Sequence, residues 1–457
     1  MGWFDSTSVA SAPAPAAHPS FAEATFTWLK LGLIGFGGPA GQIALMHRIV
    51  VREKRWIDEP RFLHALNYCM LLPGPEAQQL AVYLGWLLHR SRGGLCAGIL
   101  FVLPGALVML GLSILYVRYA TLPLLEGLFW GLKAAVLAVV VDAVVRISRR
   151  SLHGRVLPAI SAGAFAGLFF FGVPFPLIIL AAAAIGFLGA WLRPALFAAR
   201  NRDRATTEGP AAVAALATTP PSARRWLSTL AIGMSVWLAP VLVAALLLRG
   251  STTFTDIGLF FSKMAVVTFG GAYAVLSYVA QQAVDHYGWL SPGEMLTGLG
   301  LAETTPGPLI LVVQFVAFLG AYRHPGTLDP MIAGMLGGLL ATWVTFAPCF
   351  LWIFLGAPFI ERLLHRQRLN AALAAISAAV VGVIANLAVW FALHVLFASV
   401  GEYHFGPLRL YVPDPATLDP WALVVAAAAM LAMLRFSAGM LPTLATAALA
   451  GLALRLL

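Results

Sequence analysis

The chain has 457 residues, of which 60% are hydrophobic and only 11% are charged, with a formal net charge of +10. Soluble domains carry roughly 25% charged residues, and a soluble fold could not bury so apolar a chain, with a mean hydropathy of +0.86, in one core. A hydrocarbon core of about 30 Å needs about 20 apolar residues per helix, which leaves room for about a dozen spans. Composition therefore predicts an all-α polytopic membrane protein.

The excess of basic residues is typical of membrane-protein loops and is not gathered into one stripe, so nucleic acid is not an expected partner. The cysteines lie far apart without a CxxC pair, which argues against a disulfide framework or a thiolate metal site. They are Cys69, Cys96 and Cys349. The sequence also has no GxSxG elbow, P-loop or HExxH motif. We therefore expect a protein that is not an enzyme and that uses neither a cofactor nor a metal.

Residues 1–20 contain no Lys or Arg, unlike a secretory signal, and are predicted to form a disordered tail. Residues 21–192 read as a first repeat that opens with two pairs of short apolar helices. Phe21–Phe36 and Ala40–Val51 flank a Gly-Gly break, whereas Phe62–Leu72 and Glu76–His89 flank a Pro-Gly-Pro break. Each pair is predicted to be a broken or re-entrant element, because its members are too short to cross a membrane alone. Four fuller helices follow, at Leu95–Val117, Leu125–Ile147, Val156–Phe171 and Pro176–Leu192.

Residues 193–225 are rich in Arg, Ala, Thr and Pro, which is typical of a flexible linker and predicts a cytoplasmic one. The apolar run at 226–250 has no counterpart in the first half and predicts a single unduplicated helix. Residues 251–457 read as a second repeat. An odd number of spans between the repeats would invert the second one relative to the membrane.

Self-comparison supports the repeat most directly. Rare residues recur at a constant offset of 233 positions, and after an insertion near His324–Asp329 the offset becomes 244. The first-half members at offset 233 are Lys30, Phe36-Gly37-Gly38, Trp56 and Pro73-Gly74-Pro75, and their partners are Lys263, Phe269-Gly270-Gly271, Trp289 and Pro306-Gly307-Pro308. At offset 244, Pro104 matches Pro348 and Asp142 matches Asn386.

Loop charge indicates that the two repeats have opposite orientations. Residues 48–61 carry five Lys or Arg residues, whereas the matching loop at 281–294 carries none. Under the positive-inside rule, equivalent loops then lie on opposite faces of the membrane, as in the inverted repeats of many secondary transporters. The prediction is about thirteen spans arranged as six, one and six, in a bacterial inner membrane. The N-terminus and the linker would be cytoplasmic and the C-terminus periplasmic.

The four breaks form the predicted substrate site. Glycine permits unusual dihedral angles and proline removes a backbone donor, so helices break at these residues. A helix that restarts there presents free N–H groups and partial positive charge to an anion. A single break is more often a packing kink, but two matched pairs favour a binding site. Its predicted members are Gly37, Gly38, Pro39, Gln42, Pro73, Gly74, Pro75, Gly270, Gly271, Thr305, Pro306, Gly307 and Pro308.

Lys30 and Lys263 each lie in an apolar run about two turns before a Gly-Gly break. Because a lysine at the centre of a membrane helix costs about 2.5–3.5 kcal/mol, the pair is predicted to attract a dianionic substrate. The alternative is that both side chains snorkel toward the lipid headgroups. Their recurrence at equivalent positions favours the functional role.

Two carboxylates near the breaks are predicted to couple substrate to protons, because a carboxylate beside an anion site repels the anion until it is protonated. Glu76 opens the helix after Pro75, with Gln79 on the same face as a further substrate contact, and Glu303 precedes the second Pro-Gly-Pro triplet. The alternative for Glu76 is a charge that stabilises a helix N-terminus. Asp142 is expected instead to pair with an arginine of another helix at a membrane edge, such as Arg118 or Arg146.

These motifs resemble a known family. Phe36-Gly37-Gly38-Pro39, the basic stretch that ends in Arg55-Trp56, and Leu72-Pro73-Gly74-Pro75 are similar to the signature of the chromate ion transporter family. Phe269-Gly270-Gly271 and Thr305-Pro306-Gly307-Pro308 resemble the family's other domain, so the chain looks like the long, two-domain form. Ala272 stands where the first half has Pro39, so the first-half site is expected to contribute more. The roles given to Lys30, Glu76, Gln79, Lys263 and Glu303 rest on physical argument and not on the resemblance.

The resemblance implies thirteen spans with oppositely oriented halves, and export of chromate driven by the proton motive force, which confers chromate resistance. It also implies that sulfate, a dianion of similar shape, competes. The predicted partners are chromate or sulfate, protons and the lipid bilayer, and a homodimer is left open. Two other functions remain: an anion channel for sulfate-like oxyanions, and a membrane-embedded chromate reductase, for which the sequence carries no redox-cofactor motif.

Overall fold

The protein is described by a computed structural model over residues 18–120, 122–192, 222–248, 252–269, 271–357 and 367–456. Six of the described helices are long and apolar enough to cross a membrane, and shorter apolar helices accompany them. The predicted fold class, an α-helical polytopic membrane protein, is confirmed. Most of the predicted tail and nearly all of the predicted linker lie outside the described residues.

The first half contains seven helices in the order that the breaks predict. They are α1 (Phe21–Ile34), α2 (Gly38–Met46, which continues as a π-helix over His47–Glu53), α3 (Glu59–Cys69), α4 (Glu76–Tyr119), α5 (Pro123–Ser151), α6 (Val156–Phe169) and α7 (Phe175–Leu192). Helix α4 combines two predicted helices, because the backbone leaves the helical region only at His89 and Arg90, where φ is −135° and +53°. There the chain folds back, so that Gly85 packs against Gly93.

Helix α8 (Ala223–Leu247) joins the halves and begins three residues before the predicted boundary, because the Ser222 side chain caps it. The second half repeats the order of elements. It contains α9 (Thr253–Val267), α10 (Ala272–Gln281, then a π-helix over Gln282–His286), α11 (Pro292–Thr304), a 3₁₀ turn (Leu309–Leu311), α12 (Val312–Arg323), α13 (Pro330–Gly356), α14 (Gln367–Leu396), α15 (Pro420–Phe436) and α16 (Met440–Leu456). Even the π-helix after the Gly-Gly break recurs.

Two short strands are an addition that the hydrophobic pattern did not predict. Strands β1 (Val400–Phe405) and β2 (Leu408–Pro413) form an antiparallel hairpin between α14 and α15, in a register that pairs Val400 with Pro413. A short 3₁₀ turn at Pro415–Thr417 follows. The equivalent connection in the first half, between α5 and α6, spans only residues 152–155. The hairpin therefore belongs to the second half alone.

The later helices of each half pack against helices of the other half. Helix α5 of the first half packs against α15 and α16 of the second, and α14 of the second half packs against α6 and α7 of the first. Small residues permit this close approach, since Gly131 lies against the Ala447 carbonyl and Gly382 against the Ser161 carbonyl. This packing makes one body of the two halves and brings their N-terminal breaks together at its centre.

Asp142 pairs with an arginine, as predicted, but the partner lies on the same helix. Arg146 Nη2 is 2.7 Å from Asp142 Oδ2, four residues further along α5. The spacing of one helical turn brings the two side chains together without help from a second helix.

Candidate functional site

Each break adopts a backbone that favours glycine. Gly37 and Gly38 have φ values of +91° and +67°, and Gly271 has +101°. The central glycines of the two Pro-Gly-Pro triplets, Gly74 and Gly307, have +119° and +96°. An L-residue with a Cβ is strained at such angles, which explains why glycine recurs there. Gly270, also predicted in this site, lies outside the described residues.

The breaks of one half are hydrogen-bonded to those of the other. The Gly74 N–H donates to the Thr268 carbonyl at 2.8 Å, and the Gly307 N–H donates to the Gly35 carbonyl at 2.9 Å. Gly74 and Gly307 are separated by the repeat offset, as are Gly35 and Thr268. The two hydrogen bonds are therefore equivalent and reciprocal. Each Pro-Gly-Pro turn is tied to the segment just before the other half's Gly-Gly break.

Each Pro-Gly-Pro turn also packs against a long helix of the opposite half. Gly105 of α4 lies directly against the carbonyl of Pro306, and Cys349 of α13 lies against Gly74. Gly105 and Cys349 are equivalent at the offset of 244. Each turn is thus held by a hydrogen bond and by a helix of the opposite half, so neither half contains a complete site.

All four breaks contribute to one small cavity at this junction, part of it open to the outside. Its lining comes from the first turns of α2, α4 and α10 and from the 3₁₀ turn before α12. The lining residues are Pro39, Gln42, Pro75, Glu76, Ala77, Gly271, Ala272, Pro308, Leu309 and Ile310. Five of these are predicted substrate-site residues, and Glu76 is a predicted proton-coupling residue.

The helices that start at this cavity have no capping side chain. Their N-cap residues are Gly37, Pro75, Gly271 and Pro308, which carry no side-chain acceptor. Several helices that start in loops are capped by side chains: Ser20, Asp58 and Asp329 accept hydrogen bonds from the first turns of α1, α3 and α13. The four cavity-lining N-termini therefore direct partial positive charge and uncapped N–H groups toward the same space, which suits an anion.

The two predicted proton-coupling carboxylates lie in different environments. Glu76 lines the cavity, and among the described residues its carboxylate has no hydrogen bond or ion pair. Glu303 is buried at the end of α11 and accepts a hydrogen bond of 2.5 Å from the Tyr273 hydroxyl, two residues after the Gly271 break. Glu76 is therefore placed to meet an anion directly, whereas Glu303 stands one residue layer behind the cavity.

Two predicted glutamines hold the breaks together. Gln79 Nε2 donates to the Pro73 carbonyl at 2.6 Å, across the first Pro-Gly-Pro turn. Gln42 Nε2 donates to both the Gly35 and Gly307 carbonyls, at 3.1 Å and 2.5 Å, and so bridges the halves. Gln42 Oε1 is buried without a hydrogen-bond partner among the described residues, which leaves an acceptor beside the cavity.

Replacing Gln42 by leucine is expected to destabilise the junction. The Gly307 carbonyl would lose its Nε2 donor, and a buried unsatisfied polar group costs about 1–3 kcal/mol. The measurement is thermal unfolding in detergent. The control is Gln282→Leu, since the Gln282 amide makes no hydrogen bond between the halves among the described residues. Equal melting temperatures for the two variants would contradict the bridging role of Gln42.

The remaining predicted residues differ in exposure to the surface. Lys30 and Lys263 are both exposed on the outer faces of α1 and α9, away from the cavity. Thr305 is buried and its hydroxyl donates to the Leu301 carbonyl within α11. The exposed positions of the two lysines agree with the snorkelling alternative and give no support to a direct contact with substrate.

Sequence reasoning missed three residues that shape the site: Gly105, Tyr273 and Cys349. Gly105 and Cys349 each follow a proline of the matched pair Pro104 and Pro348, so the repeat itself carried a signal for them. Tyr273 is a hydroxyl-bearing residue in the first turn of its helix, but its link to Glu303 depends on contacts between segments 30 residues apart.

The chain is similar in sequence to known transport proteins. The sequence profile of the family described as chromate transporter matches residues 22–187 and 255–452. A chromate transport protein of Pseudomonas aeruginosa is 33% identical over 383 residues, which cover 81% of this chain and 80% of the relative. A chromate transport protein of Cupriavidus metallidurans is 28% identical, with coverage of 78% and 79%. A probable chromate transport protein of Synechococcus elongatus is 26% identical, with coverage of 81% and 85%. No solved structure matches the chain.

Proposed function

Because the chain belongs to the chromate transporter family, we propose that it transports chromate outward across the bacterial inner membrane in exchange for protons. Membership in the family and the apolar helices support multi-pass chromate transport. Outward direction, proton coupling, competition by sulfate and the resulting chromate resistance are the finer parts of the proposal. The observation that carries it is the cavity where four uncapped helix N-termini meet one unpaired carboxylate.

In this proposal the oxyanion binds at the break cavity. The N–H groups of the first turns of α2, α4, α10 and the 3₁₀ turn before α12 would donate to its oxygens, since a tetrahedral dianion presents acceptors in every direction. Gln42 and Pro39 from the first half and Gly271 from the second would line its surroundings. Chromate and sulfate have the same shape and charge, so the site would accept both.

Glu76 would make oxyanion binding depend on protonation. While its carboxylate is ionised, it repels a dianion in the cavity, and when it is protonated that repulsion disappears. Glu303, hydrogen-bonded to Tyr273, would carry the proton that moves inward in exchange for the oxyanion. Alternating access would arise when one repeat rocks against the other about the reciprocal hydrogen bonds of Gly74 and Gly307.

The test is chromate flux in proteoliposomes under an imposed proton gradient at fixed voltage, with sulfate as competitor. We expect chromate to move only when the gradient is present, and we expect sulfate to slow it. Flux that is indifferent to the gradient would identify an anion channel or uniporter, which the same helix N-termini could serve. Sulfate movement without chromate movement would retain the site and overturn the substrate.

A further inference from the structure

A second cavity lies beneath the β-hairpin, at the far end of α10 from the breaks. It is small and partly open to the outside. Unlike the break cavity, it is lined mainly by polar side chains from α10, its π-helical extension, α14 and β2. The lining residues are Ser277, Ala280, Gln281, Asp285, Asn386, Leu387, Trp390, Arg409 and Tyr411.

The roof of this cavity is fixed to the first half. In strand β2, the Arg409 N–H donates to the Phe170 carbonyl at 2.7 Å, and Arg409 Nη2 donates to the Leu168 carbonyl at 2.9 Å. The Tyr411 ring packs against Phe169, with centroids 5.6 Å apart. These contacts anchor the hairpin to the C-terminal end of α6, where carbonyls attract a cation. These contacts therefore hold the hairpin in place over the polar cavity.

A stripe of polar residues runs along α10 from Tyr273, next to Ala272 of the break cavity, to the second cavity. Tyr273, Ser277, Gln281 and Asp285 are spaced four residues apart, which places them on one helical face. The other residues of α10 are apolar and buried, apart from the polar tip of Tyr278. At the equivalent positions the first half has Ala40, Ala44, Arg48 and Arg52. The stripe is thus specific to the second half, as the hairpin is.

The stripe makes contacts at both ends and in the middle. At the inner end, the Tyr273 hydroxyl donates to Glu303. In the middle, Asn386 Nδ2 of α14 donates to Ser277 Oγ at 3.3 Å. At the outer end, Asp285 lies at the open mouth of the second cavity, with Arg409 in its lining. Proton relays in membrane proteins are built on Asp, Glu and His side chains, and here hydroxyl and amide groups about one turn apart lie between the carboxyl groups of Glu303 and Asp285.

We propose that this stripe is the proton route between the hairpin side of the membrane and Glu303, with Asp285 as the group that accepts the proton from the aqueous phase. The inference rests on the proton coupling of the proposed function. Under the predicted orientation the hairpin faces the periplasm, the side from which the proton motive force drives protons inward.

The electrostatics of the mouth suit an aqueous proton acceptor. The pKa of Asp285 is raised to about 6, because partial burial and, to a smaller extent, Glu402 of β1 raise it more than Arg409 of β2 lowers it. Tyr411 of β2 and Asn386 and Trp390 of α14 are the other polar groups around the cavity, and His286 is adjacent in the chain. Asp285 is therefore protonated below about pH 6 and ionised above it, so proton loading weakens as the pH on the hairpin side rises through that value.

The experiment compares two transport modes in proteoliposomes. One is chromate flux driven by a proton gradient, and the other is chromate–chromate exchange without a gradient, which needs no net proton movement. Asp285→Asn and Ser277→Ala are the test variants, and Asp256→Asn in α9 is the control for loss of a carboxylate elsewhere. We expect the test variants to lose gradient-driven flux on the order of 100-fold and to retain exchange. Asp285→Asn should also lose the dependence on hairpin-side pH near 6, and the control should match the wild type in both modes.

The outcomes separate the route from the proposed function. If wild-type flux ignores the gradient, proton coupling itself is wrong, and the route with it. If the wild type is coupled and both test variants transport like it, only the route is wrong. Equal losses of exchange and gradient-driven flux would place the second cavity on the path of the oxyanion and would also overturn the route. Retained exchange shows that a variant is folded, and Ser277→Ala tests the route even if Asp285→Asn does not fold.

Discussion

Replacing Glu76 by glutamine is expected to make oxyanion affinity independent of pH while chromate–chromate exchange continues. Glu76 is the only ionisable side chain in the lining of the break cavity as the structure describes it, and its carboxylate has no partner there. An ionised carboxylate about 6 Å from a dianion costs about 5 kcal/mol at an effective dielectric constant of about 20. That energy corresponds to roughly 10³-fold or more in affinity. Glutamine has nearly the same shape and carries no charge.

The measurement is oxyanion affinity as a function of pH, together with the two transport modes. Wild-type affinity should fall as the pH rises, because Glu76 ionises, whereas the affinity of Glu76→Gln should stay at the low-pH value. Glu126→Gln is the matched control, since Glu126 also lies in the first turn of its helix, α5, but is exposed and away from the cavity. If Glu76→Gln retained a wild-type pH dependence of oxyanion affinity, Glu76 would have only a helix-stabilising role.

Replacing Gly105 by alanine is expected to abolish transport and to lower stability. A Cβ at Gly105 would overlap the Pro306 carbonyl and would lie 2.7 Å from Leu311 Cδ1. Because the obstacle is backbone, the second Pro-Gly-Pro turn must move, and with it the hydrogen bond from the Gly307 N–H to Gly35. Overpacking of this kind costs about 1–3 kcal/mol, and the displaced turn would disturb the cavity.

The same helix offers a matched control in Gly111→Ala. A Cβ at Gly111 meets nothing within 4 Å, and alanine at a helix interior is favoured over glycine by about 1 kcal/mol. This variant should therefore melt at or above the wild-type temperature and transport normally. Thermal unfolding in detergent and chromate flux in proteoliposomes measure both effects. Wild-type flux in Gly105→Ala would show that the position of the second turn does not matter for transport.

Both substitutions affect the break cavity, but in different ways. Glu76 tests the chemistry of the cavity, whereas Gly105 tests how the cavity is assembled. Because each Pro-Gly-Pro turn is bonded to and packed on the opposite half, a change in one half is expected to disturb the other. Movement of one repeat against the other would therefore alter both turns at once.

Local chemistry was enough to predict several features of this protein from its sequence. The apolar content predicted a polytopic helical membrane protein, and the six long apolar helices confirm that class. The glycines and prolines of the breaks interrupt helices wherever they occur, so the positions of Gly37, Gly74, Gly271 and Gly307 followed from residue type alone. Glu76 was found for the same reason, since it directly follows a proline that starts a helix.

Other features depended on which face of a helix meets which neighbour. In a soluble protein the apolar face of a helix is the buried one, but in a membrane both the core and the lipid-facing surface are apolar. Periodicity therefore could not show that Lys30 and Lys263 point outward. The link between Tyr273 and Glu303, the packing of Gly105 on Pro306, and the hairpin over Asp285 likewise join segments distant in sequence. Only the tertiary structure decided them, because long-range pairing depends on the packing of the whole bundle and not on the residues within each segment.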